Sequence, residues 1–540
     1  MAWRRDSTAG PINGNGSVGV VMRFLRAAVL AFLATFGVWT PATAQDFIVA
    51  ALAGPRGVDG DVWVPGSIES VVNVYESLVR LARVRGADGD SQIDPSRVEP
   101  HLAESWTVSP DGKEYVFTLR KGVKSFHGNE LNAEDVVFGW RKSQEQKRTG
   151  RFISEASRIV SVAAVSRYEV KYTLSEANNL FLRALTHYTP MIIDSTEAKK
   201  YASADDPYAV KWLATNTAGY GAYHLAQNRA GEGAVFVANP NYFGGKLAIQ
   251  RVIYREVPSG ASRMSLLQAG QVQVAEELSQ SQIKALQGDK RVKVSSHIGT
   301  GSATIRMNPK IKPFDDIRLR QAIVYATDFE AINKGVFEGL GVRSRSILPP
   351  SAPGYAKAYL YEHDLDKAKK LLAEAGYPNG IDLTLEYTTA FWWEEPLVLQ
   401  FRSQLEKAGI RITPSKLPNT VFAARGAIGK RDLAFATHLT NVFVLDPGYA
   451  LFLSAHTRGS SNRNDYSFPE FDKLIEIGIT ERDRTKAMAA VAEAQRRHAA
   501  DATFVDTVFP GTFVAMSTCV TGWMWYPTNR LVWRDLACKR

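Results

Sequence analysis

Within nine residues the stretch FHGNELNAEDVVF (126–138) gathers His127, Glu130, Glu134 and Asp135. A histidine among three carboxylates is the donor set of a metal site or of an acid/base pair. The order of the residues offers a local alternative. Asn132 stands directly before Ala133-Glu134-Asp135 and reads as a helix N-cap, with both acids in the first turn. Asp135 falls at N3, from which it reaches back to the Asn132 N–H in a capping box, and Leu131 and Val136 hold the positions of a hydrophobic staple. Each acid at the positive end of the helix dipole adds about 0.3–1 kcal/mol. His127-Gly128 reads as the turn that precedes it. Helix capping therefore accounts for the cluster without a metal.

No other constellation takes its place. The patterns G-x-x-x-x-G-K-[ST], G-x-S-x-G and H-E-x-x-H are missing from the sequence, as is paired-cysteine metal spacing. GYGAYH (219–224) and GTGSAT (299–304) are glycine-rich but complete no nucleotide fingerprint. The nine histidines are dispersed, and no partner spacing supports a metal at His438 or His456. Catalysis needs a nucleophile, a base and a stabiliser together. The expectation is a protein that is not an enzyme and that carries no cofactor and no metal.

The elements around these residues alternate between strand and helix. EYVFTLR (114–120), YEVKYTL (168–174) and IDLTLEY (381–387) have the period of half-buried strands. DLDKAKKLLAEAG (364–376) predicts a helix capped by Asp364, with Leu365, Ala368, Leu372 and Ala375 on one face and Gly376 as its stop. DRTKAMAAVAEAQRRHAADA (483–502) predicts another, with Ala487, Val491 and Ala494 on one side. The fold class is mixed α/β.

Bulk properties narrow the setting. The 540 residues are 45% hydrophobic and 22% charged, an ordinary globular composition long enough for about three structural units. At the N-terminus, Arg23 and Arg26, the apolar run 27–38 and Ala42-x-Ala44 form the three parts of a secretory signal, with cleavage expected after Ala44 and Met22 as the expected start. The run is too short to span a membrane. Without residues 1–44 the net charge falls from +10 to +7. The basic residues are scattered and form no aromatic-interleaved stripe, so nucleic acid is not an expected partner. Cys519 and Cys538 fit a disulfide in an oxidising compartment, but sequence does not fix their proximity.

Taken with its neighbours, the opening stretch resembles a known family. PHLAESWTVSPDGKEYVFTLRKGVKSFHGNELNAEDVVFGW (100–140) is similar to the signature region of extracellular solute-binding proteins of family 5, the peptide/nickel class that serves ABC importers. NVYESLVR (73–80), NPNYFGGK (239–246), LLQAGQVQVA (266–275), PFDDIRLRQAIVYATD (313–328), DKAKKLLAEAGYPNG (366–380) and DYSFPEFDKLI (465–475) follow in the family's order. His127 stands where the family usually has Asp before the turn glycine.

The resemblance implies a two-lobed periplasmic-binding-protein fold, with hinged lobes and an inserted subdomain. The first lobe would take 45–86, 213–298 and 508–540, the insert 87–212 and the second lobe 299–507, with crossings near 298–306 and 508–515. It implies a periplasmic, monomeric protein that does not itself span the membrane. It would capture a peptide-like or other small polar ligand for an ABC permease and its ATPase. An exported enzyme on the same scaffold, and a sensory or chaperone role, are the alternatives.

Peptide-binding members hold the peptide α-amine with the first acid of D-Y-x-[DE]-P. Here TNVFVLDPGY (440–449) keeps Asp446-Pro447 but has Phe443 at that acid's place. A ring offers an ammonium cation–π attraction and no charge-assisted hydrogen bond. Candidate ligand contacts implied by the resemblance are therefore Asn441, Phe443 and Asp446, with a structural role for Asp446, holding the turn before Pro447, as the alternative. To these are added Trp392 and Trp393 of TTAFWWEEP (388–396), with Glu394 and Glu395 beside them, and Tyr220 and Tyr223 of GYGAYHL (219–225).

Overall fold

Ser302–Met307 and Phe504–Phe509 are buried at every position. Such runs belong to strands covered on both faces. In the computed structural model, which describes residues 46–59, 61, 68–85, 91–147, 149–187, 191–440, 444–526 and 531–539, they pair at the centre of a six-stranded sheet. Its order is Val342–Arg343, Phe504–Phe509, Ser302–Met307, Phe435–Thr440, Ile381–Tyr387, Ile410–Lys416. Ala303, Ile305 and Met307 enter an apolar core with Leu319, Ile323, Leu397 and Phe401 of the covering helices. The opposite face carries Arg306, which is fully buried and donates to Thr440 Oγ1 (2.8 Å) and the Ser461 carbonyl (2.7 Å).

A seven-stranded sheet has the order Val292–Ile298, Gly511–Ser517, Val274–Ala275, Asp46–Ala51, Arg251–Glu256, Gly233–Ala238, Tyr223–Arg229. The chain changes sheet twice, through 299–301 on the way out and through Pro510 on the return. The crossings run side by side: Ile298 lies opposite Gly511, and the Gly299 N–H donates to the Pro510 carbonyl (3.0 Å). A β-carbon at Gly299 would sit 2.9 Å from Thr512 Oγ1 and 3.1 Å from that carbonyl, so its absence keeps the two passages in contact. The predicted signal, 1–44 with Met22, lies outside the described residues.

Between strands of the seven-stranded sheet the chain inserts an antiparallel sheet ordered Ala103–Val108, Glu114–Leu119, Glu169–Leu174, Ile159–Ser166. The helix Ala133–Glu145 packs Leu131, Val136 and Val137 with Phe117, Val170 and Tyr172 of this sheet. Asn132 caps that helix through the Glu134 N–H (2.9 Å), and Asp135 Oδ2 accepts the Asn132 N–H (2.8 Å), completing the expected capping box. Asp135 does more than cap. Its Oδ1 accepts the Ser195 N–H (2.9 Å) and hydroxyl (2.7 Å), and its Oδ2 accepts the Tyr220 hydroxyl (2.8 Å). The other expected elements also form. Asp364 caps Leu365–Glu374, Gly376 follows at φ +95°, and Asp483 caps Arg484–Ala500.

The C-terminal segment folds back on the first sheet. Cys519 and Cys538 are joined by a disulfide that closes a 19-residue separation, a loop whose constraint is worth about 3 kcal/mol. Trp533 is fully buried against Tyr223, Phe236 and Tyr254. Asn73 holds the backbone on either side, accepting the Trp533 N–H (2.7 Å) and donating to the Leu531 carbonyl (2.9 Å). Residues about 460 apart in sequence are thereby fixed within one hydrogen bond.

Asp135 is buried with four donors around it, so removing the acceptor strands them all. Asp135→Ala is expected to cost about 3–5 kcal/mol, and Tyr220→Phe, which removes a single donor, about 1–2 kcal/mol. Urea unfolding of the two variants measures both, and equal losses would show that the carboxylate acts through Tyr220 alone.

Candidate functional site

The helix Ile68–Val74 ends against the first sheet and delivers Tyr75 and Glu76 to a cavity of about 110 Å³. The strand Val79–Arg85 follows and pairs with Ser91–Pro100. Their register breaks between Leu81 and Ala82, where partners jump from Val98 to Asp94. An irregularity of this kind re-aims side chains. Arg80 and Arg83, three residues apart and on opposite faces of a regular strand, both line the cavity here. Tyr526, Val532 and Arg534 arrive from the C-terminal segment, and Leu445 closes the cavity from the loop after the second-sheet strand Phe435–Thr440.

Glu76 is the electrostatic centre of this wall. Its Oε1 accepts from Arg534 Nη1 (2.8 Å) and the Tyr242 hydroxyl (3.2 Å), and its Oε2 lies 2.7 Å from His101 Nε2. Burial alone would raise the Glu76 pKa, but Arg534, ahead of His101, outweighs it and holds the carboxyl at about 2. Burial also keeps the His101 imidazole below its usual range. A neutral imidazole beside a carboxylate that can only accept must carry its proton on Nε2. Two further pairs flank the centre. Arg83 binds Asp535 through both Nη atoms (2.8 and 3.0 Å), and Arg80 Nε donates to Glu99 Oε1 (2.7 Å).

The residues singled out from sequence occupy different environments. Tyr220 is fully buried on Asp135, and the Tyr223 hydroxyl donates to the Ile249 carbonyl (3.1 Å), so both phenols are turned into the core. Trp393 is buried and stacks on Phe391 at 5.6 Å, whereas Trp392 is 58% exposed with an edge against Phe337. Their loop leaves the C-terminal end of Ile381–Tyr387. The pairings with Phe435–Thr440 and Ser302–Met307 place that end at the sheet edge where the chain crosses. Glu394 is consumed by local bonds from the Thr388 (2.7 Å) and Thr437 (2.8 Å) hydroxyls, and Glu395 lies 3.8 Å from Lys416. Asn441 and Phe443 lie outside the described residues.

Asp446 borders the cavity through its neighbour Leu445 but turns its own carboxylate away. It caps Pro447–Ala455 by accepting the Tyr449 N–H (3.2 Å), and its Oδ2 accepts from Arg183 Nη1 (3.2 Å). Burial raises its pKa and Arg183 opposes the rise. Arg183 also donates to the carbonyls of Pro95 and Ser96, at the irregularity in Ser91–Pro100.

Among the described residues no group of three or more His, Cys, Asp or Glu side chains could hold a metal ion. His127 Nε2 sits 3.2 Å from the Thr217 carbonyl, and His224 stacks on Phe126 with its pKa lowered to about 4 by burial and by His127. His438 is held far below its usual range by burial and Arg306, and the His456 Nδ1 accepts the Arg458 N–H. Sequence reasoning missed Glu76, Arg80, Arg83, His101, Tyr526 and Arg534. A partial signal was present, because Glu76 and Arg80 fall in NVYESLVR and His101 is the second residue of the 100–140 motif.

The chain is similar to known proteins along most of its length. Residues 97–462 match the model of bacterial extracellular solute-binding proteins, family 5. The chain is 30% identical over 510 residues to a probable D,D-dipeptide-binding periplasmic protein of Escherichia coli K12, covering 93% of this chain and 96% of that one. It is 26% identical over 471 residues to heme-binding protein A of Haemophilus influenzae, covering 81% and 82%. Its fold is similar to a dipeptide binding protein from Pseudoalteromonas sp. SM9913 in complex with Met-Leu, with TM-score 0.78, 23% identity, and 92% of this chain and 100% of that one covered.

The depressed pKa of Glu76 makes the site sensitive to acid, with a definite sign. Its folded pKa, about 2, is below the ordinary 4.5, so its contribution is complete above 4.5 and is lost as pH falls through 2. Urea midpoints measured from pH 6 downward are expected to fall, and Glu76→Gln to show a shallower acid limb together with a loss at neutral pH, because Arg534 is then buried unpaired. An acid limb of unchanged steepness in the variant would contradict this assignment.

Proposed function

Because this chain belongs to the bacterial extracellular solute-binding proteins of family 5, which bind ligands and do not transform them, we propose that a peptide-like or other small polar molecule is held at the cavity between Glu76 and Leu445. Capture of a solute between two lobes and delivery to an ABC transporter is the function of the family and of this chain. The observation that carries the placement is the lining itself. Side chains attached to the first sheet and to the C-terminal segment meet Leu445, which is attached to the second sheet, across one cavity.

Linkage supplies the mechanism. A ligand that touches both sides binds the closed arrangement better than the open one and shifts the population towards closure. The crossings at 299–301 and Pro510 are the hinge in this reading. The first lobe takes 45–86, 213–298 and 508–540, the insert 87–212 and the second lobe 299–507. The permease reads the closed shape, and ATP hydrolysis belongs to the partner ATPase, in keeping with the lack of a P-loop motif in this sequence.

The protein acts in the periplasm as a monomer, exported by the segment that ends at Ala44. No helix among the described residues is long and apolar enough to cross a membrane. The relatives named for a D,D-dipeptide and for heme support a peptide-like ligand while showing how far ligand chemistry varies within the family.

Native mass spectrometry of protein released gently from the periplasm is expected to show a co-purifying small molecule. X-ray scattering before and after its removal is expected to show a larger radius of gyration in the empty protein. An unchanged radius, or chemical conversion of the molecule on incubation, would overturn this reading.

A further inference from the structure

The cavity's charges are distributed unevenly. Three guanidiniums, Arg80, Arg83 and Arg534, line it, and Glu76 is the one carboxylate among the described lining residues. Glu76 is already spent, since its two oxygens serve Arg534, Tyr242 and His101. The acids that balance the other two arginines, Glu99 and Asp535, do not line the cavity. The face offered to a ligand is therefore made of guanidinium donors, with the Tyr526 hydroxyl adding a neutral one.

The arginines are also incompletely used. Arg80 engages Glu99 through Nε, and among the described residues no side-chain carboxylate accepts from the two terminal nitrogens of its fork. Nε of Arg83 and Nε of Arg534 are buried and have no hydrogen-bond partner among the described residues. An N–H removed from water and left without an acceptor is costly, and a planar guanidinium matches the two oxygens of a carboxylate. On the opposite side Leu445 is apolar, and the acid next to it in sequence, Asp446, is held by Arg183 and by a helix N-terminus. An ammonium entering the cavity would meet three guanidiniums, each paired with an acid, and, among the described lining residues, no carboxylate that is not already engaged.

We infer that the cavity selects an anionic ligand group, a carboxylate, received by the Arg80–Arg83–Arg534 wall, and that a free amine is not what it recognises. This rests on the placement of the ligand at this cavity proposed above. It fixes the ligand class as small acids, including peptides or peptide-like molecules whose carboxylate is the buried end.

Three probes that share one backbone test the inference: Ala-Ala, N-acetyl-Ala-Ala and Ala-Ala-amide, titrated into the stripped full-length mature chain by calorimetry. Both free acids are expected to bind, with or without the amine, and loss of the acid in the amide to weaken binding by about tenfold or more, the scale of one charge-assisted pair. Arg80→Gln, at a half-exposed position where folding is not at risk, is expected to weaken the acids by a similar factor and to leave the amide unchanged. Arg411→Gln, which breaks an exposed pair with Asp382 elsewhere, is the control that alters neither.

Equal binding of acid and amide, or tighter binding of the amide, overturns the inference. If none of the three binds, the molecule released from native protein decides: a carboxylate in it sustains the inference, and a neutral or cationic molecule overturns it. Failure to bind any ligand, with no co-purifying molecule, also overturns it. A charge preference that fails while scattering still shows ligand-dependent closure leaves the solute-binding reading intact. An unchanged radius with ligand bound strikes the placement instead.

Discussion

The architecture depends on two chain passages that run side by side, three residues long at 299–301 and one residue long at Pro510. An extended residue spans at most about 3.3–3.6 Å, so neither passage allows the two sheets to separate far at this point. Their mutual pairing, through Ile298 and Gly511 and through Gly299 and Pro510, further limits relative movement to bending or twisting about the pair. The six-stranded sheet is thus one uninterrupted excursion of the chain, with its own apolar core. The seven-stranded sheet needs the returning strand Gly511–Ser517 between Val292–Ile298 and Val274–Ala275. That requirement brings the C-terminal segment, and Arg534 with it, to the helix Ile68–Val74.

Buried charge then pins the pieces that the backbone alone would leave loose. Lys142 has no exposed surface and donates to Asp59 (2.8 Å) and Asp61 (3.1 Å), tying the loop before the Ile68–Val74 helix to the inserted helix. Glu76 ties that helix's end to Arg534 and to His101. Such groups are weak evidence for net stability, because desolvation offsets much of the attraction. Their effect is on specificity, since each set is paired in this arrangement and strongly unfavourable in any that separates the partners. The cavity is lined by residues that share segments with these pinned charges, so its shape is fixed by interactions made behind its walls.

The sequence was legible wherever the physics was local. Asn132, Asp364 and Asp483 cap helices because each partner lies within three residues, and the strand at 381–387 showed its alternation directly. The cluster of His127 and three acids resolved in the same way. What stayed hidden depends on distant pairing. Nothing near Glu76 announces Arg534, 458 positions away, and nothing near Asp446 announces Arg183. Reading Asp446 from its motif kept the acid and proline but missed that a residue of the inserted region occupies its carboxylate. The stretch 388–396 offered Trp392 and Trp393 together, yet which ring faces solvent is decided by the packing of Trp393 against the core of the second sheet. The disulfide was left open for a related reason, as distance between Cys519 and Cys538 is a property of the folded tail.

The contact between the inserted region and the second sheet's helices bears on how strongly closure is held. Arg183 meets Asp446, Arg158 pairs with Glu476, the Asn179 N–H donates to the Ile479 carbonyl (2.8 Å), and Leu180 and Ala184 share an apolar cluster with Tyr449, Leu453 and Ile475. These contacts lie at a site other than the crossings. Were they strong, the protein would remain shut when empty and occupancy would carry no information. On separation the charged partners and the backbone groups return to water, and recovering that hydration offsets much of the attraction that is lost, because desolvation leaves a buried pair with little net stability. The apolar part is different, since Leu180, Ala184, Tyr449, Leu453 and Ile475 are all buried. The contact therefore favours this arrangement mainly through its apolar part, and a ligand shifts the equilibrium only by its differential affinity for the two states.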